Sequence, residues 1–537
     1  MGSHPDNHCP GRKFKTFFLP ILSGLILASC GSPRTVRVEP QPVVPEIDWG
    51  ARIREADELA ARGHYAALRQ SFGMLKDILG EPSRRDEAVP KLLKTAMALA
   101  LREKDLGILG DGTLLELEDL VAREPSLASY APFVELLGYL PARLKGTAGD
   151  GLSKGRTLED QLSWITDRAG PIDEELRAGA RSEDLLAVLR IVFRRTFFYK
   201  FPDKLDPAVY AELHAESRLV AFQNAVSPNP DEARLTALLD EDPDFHEAHY
   251  FLGELAMAGG QLLTAEKHYL SALEGIPDFP STLISLAKIA FHMEELQPCL
   301  DFNERALALV PAYRDALLGK ALCLGYLGRN GEAIEVLRRI LELGSSYMGE
   351  AHYWTAWNFN EMERLEEARR SIDSARTFLV GQPDVLTLSG IIAYGQGRHA
   401  DAEKDLLEAL ASQPSECDAA YHLGKIYADL KRWVESGLYF SGAADCYEQR
   451  ERALEKKIEE IGASELGAER KERLLRKKRQ QVLAVRATKA TCQYNGAAGF
   501  HNGGKFELAL ELAERARAHP SFSEAAADLI RLIKDRS

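Results

Sequence analysis

Residues 246–279 read HEAHYFLGELAMAGGQLLTAEKHYLSALEGIPDF, and the spacing within them decides the fold. Counted from His246, Leu252 and Gly253 stand at positions 7 and 8, Ala256 at 11, Ala265 at 20, Tyr269 at 24, Ala272 at 27 and Pro277 at 32. Residues 280–313 place Leu286, Ala287, Ala290, Cys299, Ala306 and Pro311 in the same phase. So do Ala321, Leu324, Ala333, Leu337 and Ile340 in 314–347, and Ala356, Phe359, Ala368, Ile372 and Ala375 in 349–382. Gly390, Ala393, Ala402, Leu406, Ala409 and Pro414 continue it through 383–416, and Leu423, Gly424, Tyr427, Phe440 and Ala443 open another unit at 417–450. A last unit at 490–523 carries Ala497, Phe500, Ala509, Ala513 and Ala516, with a capping helix expected from Ser523 to Lys534.

The spacing has a mechanical cause. Small residues at positions 8, 20 and 27 let a first helix (A) and a second (B) approach closely, and larger apolar residues at 7, 11 and 24 fill the space beside them. Proline near position 32 ends helix B and turns the chain. One such hairpin cannot bury its apolar face alone, whereas stacked neighbours can. A non-repetitive bundle would not keep a fixed 34-residue phase. The pattern resembles the tetratricopeptide repeat (TPR). The resemblance implies an all-α, right-handed TPR-type α-solenoid over 246–450, with a last TPR and capping helix in 490–537.

Upstream the phase fades. Gly63, Tyr65, Leu68 and Phe72 resemble the A-to-B turn of a degenerate unit. Helical periodicity is read over 51–80, 87–105, 113–123, 129–144, 158–168, 172–180, 183–200, 206–225 and 230–240, with a Gly-rich break at 146–155. We therefore read 48–240 as divergent helical hairpins that continue the solenoid, as a separately oriented arm. In unit 417–450, helix B is expected to run on to about Glu460, turn around Gly462 to Gly467, and return as a long helix from Ala468. The segment 451–489 is then a spur projecting from the stack. Arg470, Lys471, Arg473, Arg476, Lys477, Lys478 and Arg479 make it basic. Two readings are open: a solvated face, or a site for acidic protein, lipid headgroup or anionic polysaccharide.

The amino terminus reads as an address. Arg12, Lys13 and Lys15 precede an apolar run from Phe17 to Leu27 that is short for a membrane span. It ends in Leu27-Ala28-Ser29-Cys30-Gly31, which resembles the bacterial lipobox. That resemblance implies a signal peptide over 1–29 and diacylglycerol on the Cys30 thiol. Two or more acyl chains, at ~0.8 kcal/mol per buried CH₂, anchor a protein firmly. Gly31 in place of Asp implies the outer membrane. Residues 30–47, with Pro33, Pro40, Pro42 and Pro45, are expected to form an extended tether of about 3 Å per residue.

The chain has 67 basic and 81 acidic residues, a formal charge of -14 that argues against a nucleic-acid binder. Its seven cysteines form no CxxC pair and no zinc spacing, and are expected to be mostly buried free thiols. His246 and His249 lie three apart, without the spacing of a helical zinc-protease motif. No Walker A loop or GxSxG elbow occurs, so no catalytic residue, metal or cofactor is expected, and the chain is read as a non-enzyme.

In the TPR family, positions 2, 5, 9, 12 and 13 of helix A line a concave groove. Here position 5 holds Tyr250, Ile284, Leu318, Tyr353, Thr387, Tyr421 and Tyr494, and Phe291, Tyr326, Trp357 and Tyr394 stand at positions 9, 12 or 13. Such a row would stack on an extended peptide or on sugar rings, or else pack between neighbouring A helices. The Lys/Asn set that clamps a C-terminal carboxylate in chaperone-type repeats is missing. The expectation is a lipid-anchored periplasmic scaffold that binds protein partners in envelope assembly or secretion. The alternatives are a regulator of peptidoglycan or polysaccharide enzymes that binds glycan, and an enzyme with its site in 48–240.

Overall fold

The computed structural model describes residues 48–131, 134, 137 and 218–536, apart from 107, 109–111, 227, 228, 345 and 346. No strand occurs among them. The expected signal peptide, Cys30, the tether, the break at 146–155 and the helices read between 158 and 217 lie outside the described residues.

Helix pairs follow one another as His246–Ala258 with Leu262–Gly275, Pro280–His292 with Leu296–Leu309, and Arg314–Tyr326 with Asn330–Leu343. Then come Met348–Glu361 with Leu365–Phe378 and Pro383–Gly395 with His399–Ser412. Every A helix ends in the same way. A residue in the left-handed region, Gly260, Glu294, Gly328, Glu363, Gly397, Lys431 or Gly504, stops it at φ between 56 and 75°. The next amide bonds back into the last turn: Gln261 N to Ala256 O at 2.8 Å, Arg329 N to Leu324 O at 2.9 Å, Arg432 N to Tyr427 O at 2.8 Å. This is the Schellman pattern, which satisfies carbonyls the helix leaves open.

The A–B crossing is tight because position 8 is small where position 24 is large. A Cβ on Gly253 would lie 2.6 Å from the Tyr269 ring, one on Gly390 2.5 Å from Leu406, and one on Gly424 2.7 Å from Phe440. The apolar core is a succession of separate clusters, one handing over to the next along the stack. Such a core escapes the size limit of a single globule. Neighbouring A helices touch one another from Pro280–His292 onward, closer than the B helices do, so the A layer is the inner one. The helix Ser523–Lys534 closes the far end, burying Ala526, Leu529, Ile530 and Ile533 on the last repeat.

At the amino-terminal end, the turn read at Gly63 parts two helices, Trp49–Arg62 and Tyr65–Ile78, with Gly63 at φ 71°. The described part of 48–240 corrects one expectation, for it is not a separate arm. Its helices Arg85–Leu106, Gly112–Arg123, Arg218–Val226 and Glu232–Glu241 share one apolar cluster with the first repeat, from Tyr65 through Leu93, Phe222 and Leu235 to Phe279. Arg102 seals that joint. It is buried against Glu247, donates to Gly63 O at 3.0 Å and lies 3.7 Å from the Phe222 ring centre. Sequence reading could not pair it with a carboxylate 145 positions away.

Candidate functional site

The inner face of the A helices carries the rings read from the repeat phase, and the structure divides them. Phe291, Tyr326 and Trp357 form a run, with centroids 5.4 Å apart at each step. Tyr326 is its most open member, at 51% exposure. Trp354 joins it, 6.0 Å from Tyr326 and 5.8 Å from Trp357. It stands at position 6, outside the family's groove positions, so the repeat phase had no means of finding it. The other rings are half-buried between helices. Tyr250 packs on Phe279 at 4.8 Å, Tyr353 on Trp354 at 5.2 Å, Tyr421 on Phe440 at 5.8 Å and Tyr494 on Phe522 at 5.3 Å. Tyr394 lies 5.9 Å from His422, and its hydroxyl donates to Asp429 at 2.8 Å. Burial and that carboxylate push the Tyr394 phenol up to about 12.

Beside Phe291 a cleft of about 270 Å³ opens between two successive A helices, floored by Ala287, Cys299 and Asn303 and walled by Ile284 and Leu318. Gly319 makes room for it, since a Cβ there would meet Asn303 Oδ1 at 2.6 Å. At its rim Asp315 accepts from Tyr347 Oη at 2.7 Å and pairs with Lys288 at 3.5 Å. Position 2 is acidic in four successive repeats: Asp315, Glu350, Asp384 and Asp418. Burial raises the Tyr353 phenol, and Asp384 and Glu416 raise it further, so these groups share one neighbourhood. The inner face is therefore aromatic in its middle and acidic along one edge.

The basic spur is corrected. The helices Trp433–Ala463 and Ala468–Asn502 do form a long hairpin, but it does not project. Its tip folds back onto repeats 246–279 and 280–313. Arg470 donates to Glu266 at 2.8 and 2.9 Å and to Glu295 at 3.0 Å, and Arg473 to Glu295 at 2.7 Å. Lys477 donates to Glu294 O at 2.6 Å, Lys478 to the Glu294 carboxylate at 2.5 Å. These cations hold both carboxyls below their usual range against the opposing effect of burial. Lys471 caps the first hairpin helix at Gly462 O and Ser464 O. Arg479 faces Glu472 at 3.8 Å, and Arg476 is exposed. The anions that most of this stripe meets are the chain's own, Glu294 and Glu295 on one A–B turn and Glu266 on the helix Leu262–Gly275, partners that linear charge counting cannot see.

The cysteines are corrected too. Cys299 is bonded to Cys323, with Cα atoms 6.4 Å apart, and Cys417 to Cys446, at 5.5 Å. The first bond ties helix B of one repeat to helix A of the next; the second ties A to B within a repeat. An odd count leaves Cys492, whose buried thiol is pushed up to about 12 by burial and by Asp418. The spacing of 24 and 29 residues matches no short motif, so only the stacking brings the partners together.

His249 meets His268, Nδ1 to Nδ1 at 3.0 Å, and burial lowers it to about 4. His64, Asp242 and Asp244 converge within ligand distance of one another. Arg62 and Arg218, each 3.0 Å from Asp242, occupy that carboxylate, and Arg62 also takes Asp244 at 2.6 Å. The donor set is an ion-pair network and does not fit a metal.

Comparison with known proteins bears on the helix pairs. Residues 229–280 and 387–451 match the tetratricopeptide repeat family model. The chain carries tetratricopeptide repeats. No curated protein matches it in sequence. Among solved structures, a tetratricopeptide repeat protein from Parabacteroides merdae is 15% identical, with 54% of this chain and 98% of that one covered and a TM-score of 0.32. A thermophilic TPR protein from Thermus thermophilus is 18% identical over 34% of this chain and 99% of its own, at TM-score 0.30. PilF of Pseudomonas aeruginosa is 16% identical over 35% and 85%, at 0.31. At these scores the likenesses carry no weight for function. A TPR solenoid is a surface for protein–protein interaction, and that much follows from the repeats.

Proposed function

We propose that this TPR protein is a lipid-anchored periplasmic scaffold at the outer membrane, holding a protein partner during envelope assembly or secretion. The observation that supports it is the run Phe291–Tyr326–Trp357 with Trp354 on the inner face, beside a cleft deep enough for one apolar side chain. Rigid aromatic side chains give large contact area at low entropic cost. The acidic edge suits an extended segment that carries basic residues next to an apolar one. Two disulfides accord with an oxidising compartment such as the periplasm. No described helix is long and apolar enough to cross a membrane, and the anchor in this reading is the lipid on Cys30.

The test is a photo-crosslinking residue at Tyr326 or Trp357, irradiated in intact cells of the source bacterium. A discrete protein adduct that disappears when Trp354 is changed to Ala supports the scaffold. Adducts to glycan alone support the second reading, a regulator of cell-wall or polysaccharide enzymes whose paired rings stack on sugar. Radiolabelled palmitate should enter the wild type but not Cys30→Ala; absence of label from the wild type removes the anchor.

A further inference from the structure

The hairpin tip bonds to residues 175 to 204 positions earlier in the chain. It therefore ties the repeat at 417–450 back to those at 246–313, converting an open solenoid into a closed loop. A stack of repeats bends and stretches easily, because each unit contacts only its neighbours. A tie between distant repeats removes that freedom and sets the curvature of the face between them.

We infer that this tie is a releasable ionic catch. Its fastenings are charged side chains: Arg470, Arg473 and Lys478 on Glu266, Glu294 and Glu295. The backbones of the two parts hardly approach. Apolar contact beside these pairs is incomplete, for an open cleft of about 370 Å³ lies under the tip between Leu262 and Met293 on one side and Ile461 and Leu474 on the other. The hairpin is stiff by comparison. Glu451, on its first helix, binds Arg486 and Lys489 on its second, so it moves as one body. Salt reaches the outer pairs first, Arg473 with Glu295 and Lys477 with Glu294, whose cations are 59% and 39% exposed, and screens the more buried Arg470 and Lys478 less. Glu294 stands at the left-handed turn position that glycine fills in four of the seven repeats and Glu363 and Lys431 fill in two others, and its carboxylate is the one that Lys478 and Gln481 grip.

The catch is tested on the full chain by the distance between spin labels on unnatural residues at exposed Lys456 and Gln297. Non-cysteine labels leave both disulfides intact. At low salt one short, narrow distance is expected. At about 1 M NaCl, where the Debye length falls to ~3 Å, the closed fraction should drop several-fold and a longer, broader distance appear. Arg470→Glu with Lys478→Glu should open the loop at low salt, and adding Glu294→Lys with Glu295→Arg should close it again. Glu294→Gly relieves the backbone, so it folds, and should shift the population towards the open state. A distance unmoved by salt and by these variants would mean that the hairpin is a fixed brace. A broad distance in the wild type at low salt would mean that no closed state exists. Opening by salt but not by Arg470→Glu with Lys478→Glu would take the catch away from these residues. The result does not depend on what the groove holds.

Discussion

Arg102 and Glu247 are the most deeply buried ion pair at the joint between the amino-terminal helices and the first repeat, each side chain 1% exposed. Truncating one partner leaves the other charge buried and alone, which costs about 3–5 kcal/mol. Arg102→Met should therefore lower the first thermal transition sharply, while Arg102→Met with Glu247→Leu should recover most of the loss. Differential scanning calorimetry checks both. Titration gives a second residue-scale prediction. Burial lowers His64, His249 and His422 to about 4 and raises Glu103 to about 7. The depressed histidines contribute stability above pH 6.5 that is lost as pH falls towards 4. Raised Glu103 works the other way: its contribution is whole below pH 4.5 and is lost as pH rises through 7. Among the described residues five histidines are lowered (His64, His249, His268, His352 and His422) against three raised carboxyls (Glu103, Glu247 and Glu416), so between pH 6.5 and 4.5 the unfolded chain binds the more protons and stability should fall on acidification. A melting temperature that rises on acidification through this window would contradict the assignment.

At the scale of the element, the helix crossing and the disulfides make separate predictions. Gly424 faces Phe440 so closely that an added Cβ would sit 2.7 Å from the ring. Gly424→Ala should destabilise its repeat by about 1–3 kcal/mol, whereas Gly442→Ala, with open space around it, should not. Hydrogen exchange across Cys417–Asp429 and Trp433–Ala463 distinguishes the two. The disulfides predict that, of the cysteines after residue 30, none reacts with a thiol reagent in the native protein and one, Cys492, reacts after unfolding without reductant. Peptide mapping would show the pairs directly. The repeat phase made the helix pairs legible, because position 8 against position 24 is a local, periodic fact. The disulfides were not legible, because their partners meet only across two stacked helices.

At the scale of the whole molecule, the described helices from Trp49 to the capping helix hand their apolar clusters on along one stack, and the hairpin closes part of it into a loop. With the photo-crosslinking residue placed at exposed Lys288 on the rim of the cleft, changing Tyr326 and Trp357 together to Ala should abolish partner crosslinking and leave the fold intact, since Tyr326 is exposed and Trp357 half-buried. Circular dichroism and the crosslink yield read the two effects apart. The candidate groove was half legible. Eight rings could be placed on the inner side from register alone, yet only neighbours in space reveal that Phe291, Tyr326 and Trp357 form a run with Trp354 while Tyr250, Tyr421 and Tyr494 serve the core.

What the chain's own order of residues determined is everything that repeats at a fixed interval: where helices start and stop, which side faces inward, and that units stack. Periodicity encodes these because each is settled within one unit and its neighbour. Only tertiary structure decided which cations meet which carboxylates, which thiols join, and that the hairpin turns back. Those contacts join residues far apart in sequence, and a side chain's charge or thiol carries no record of the distance at which its partner will be found.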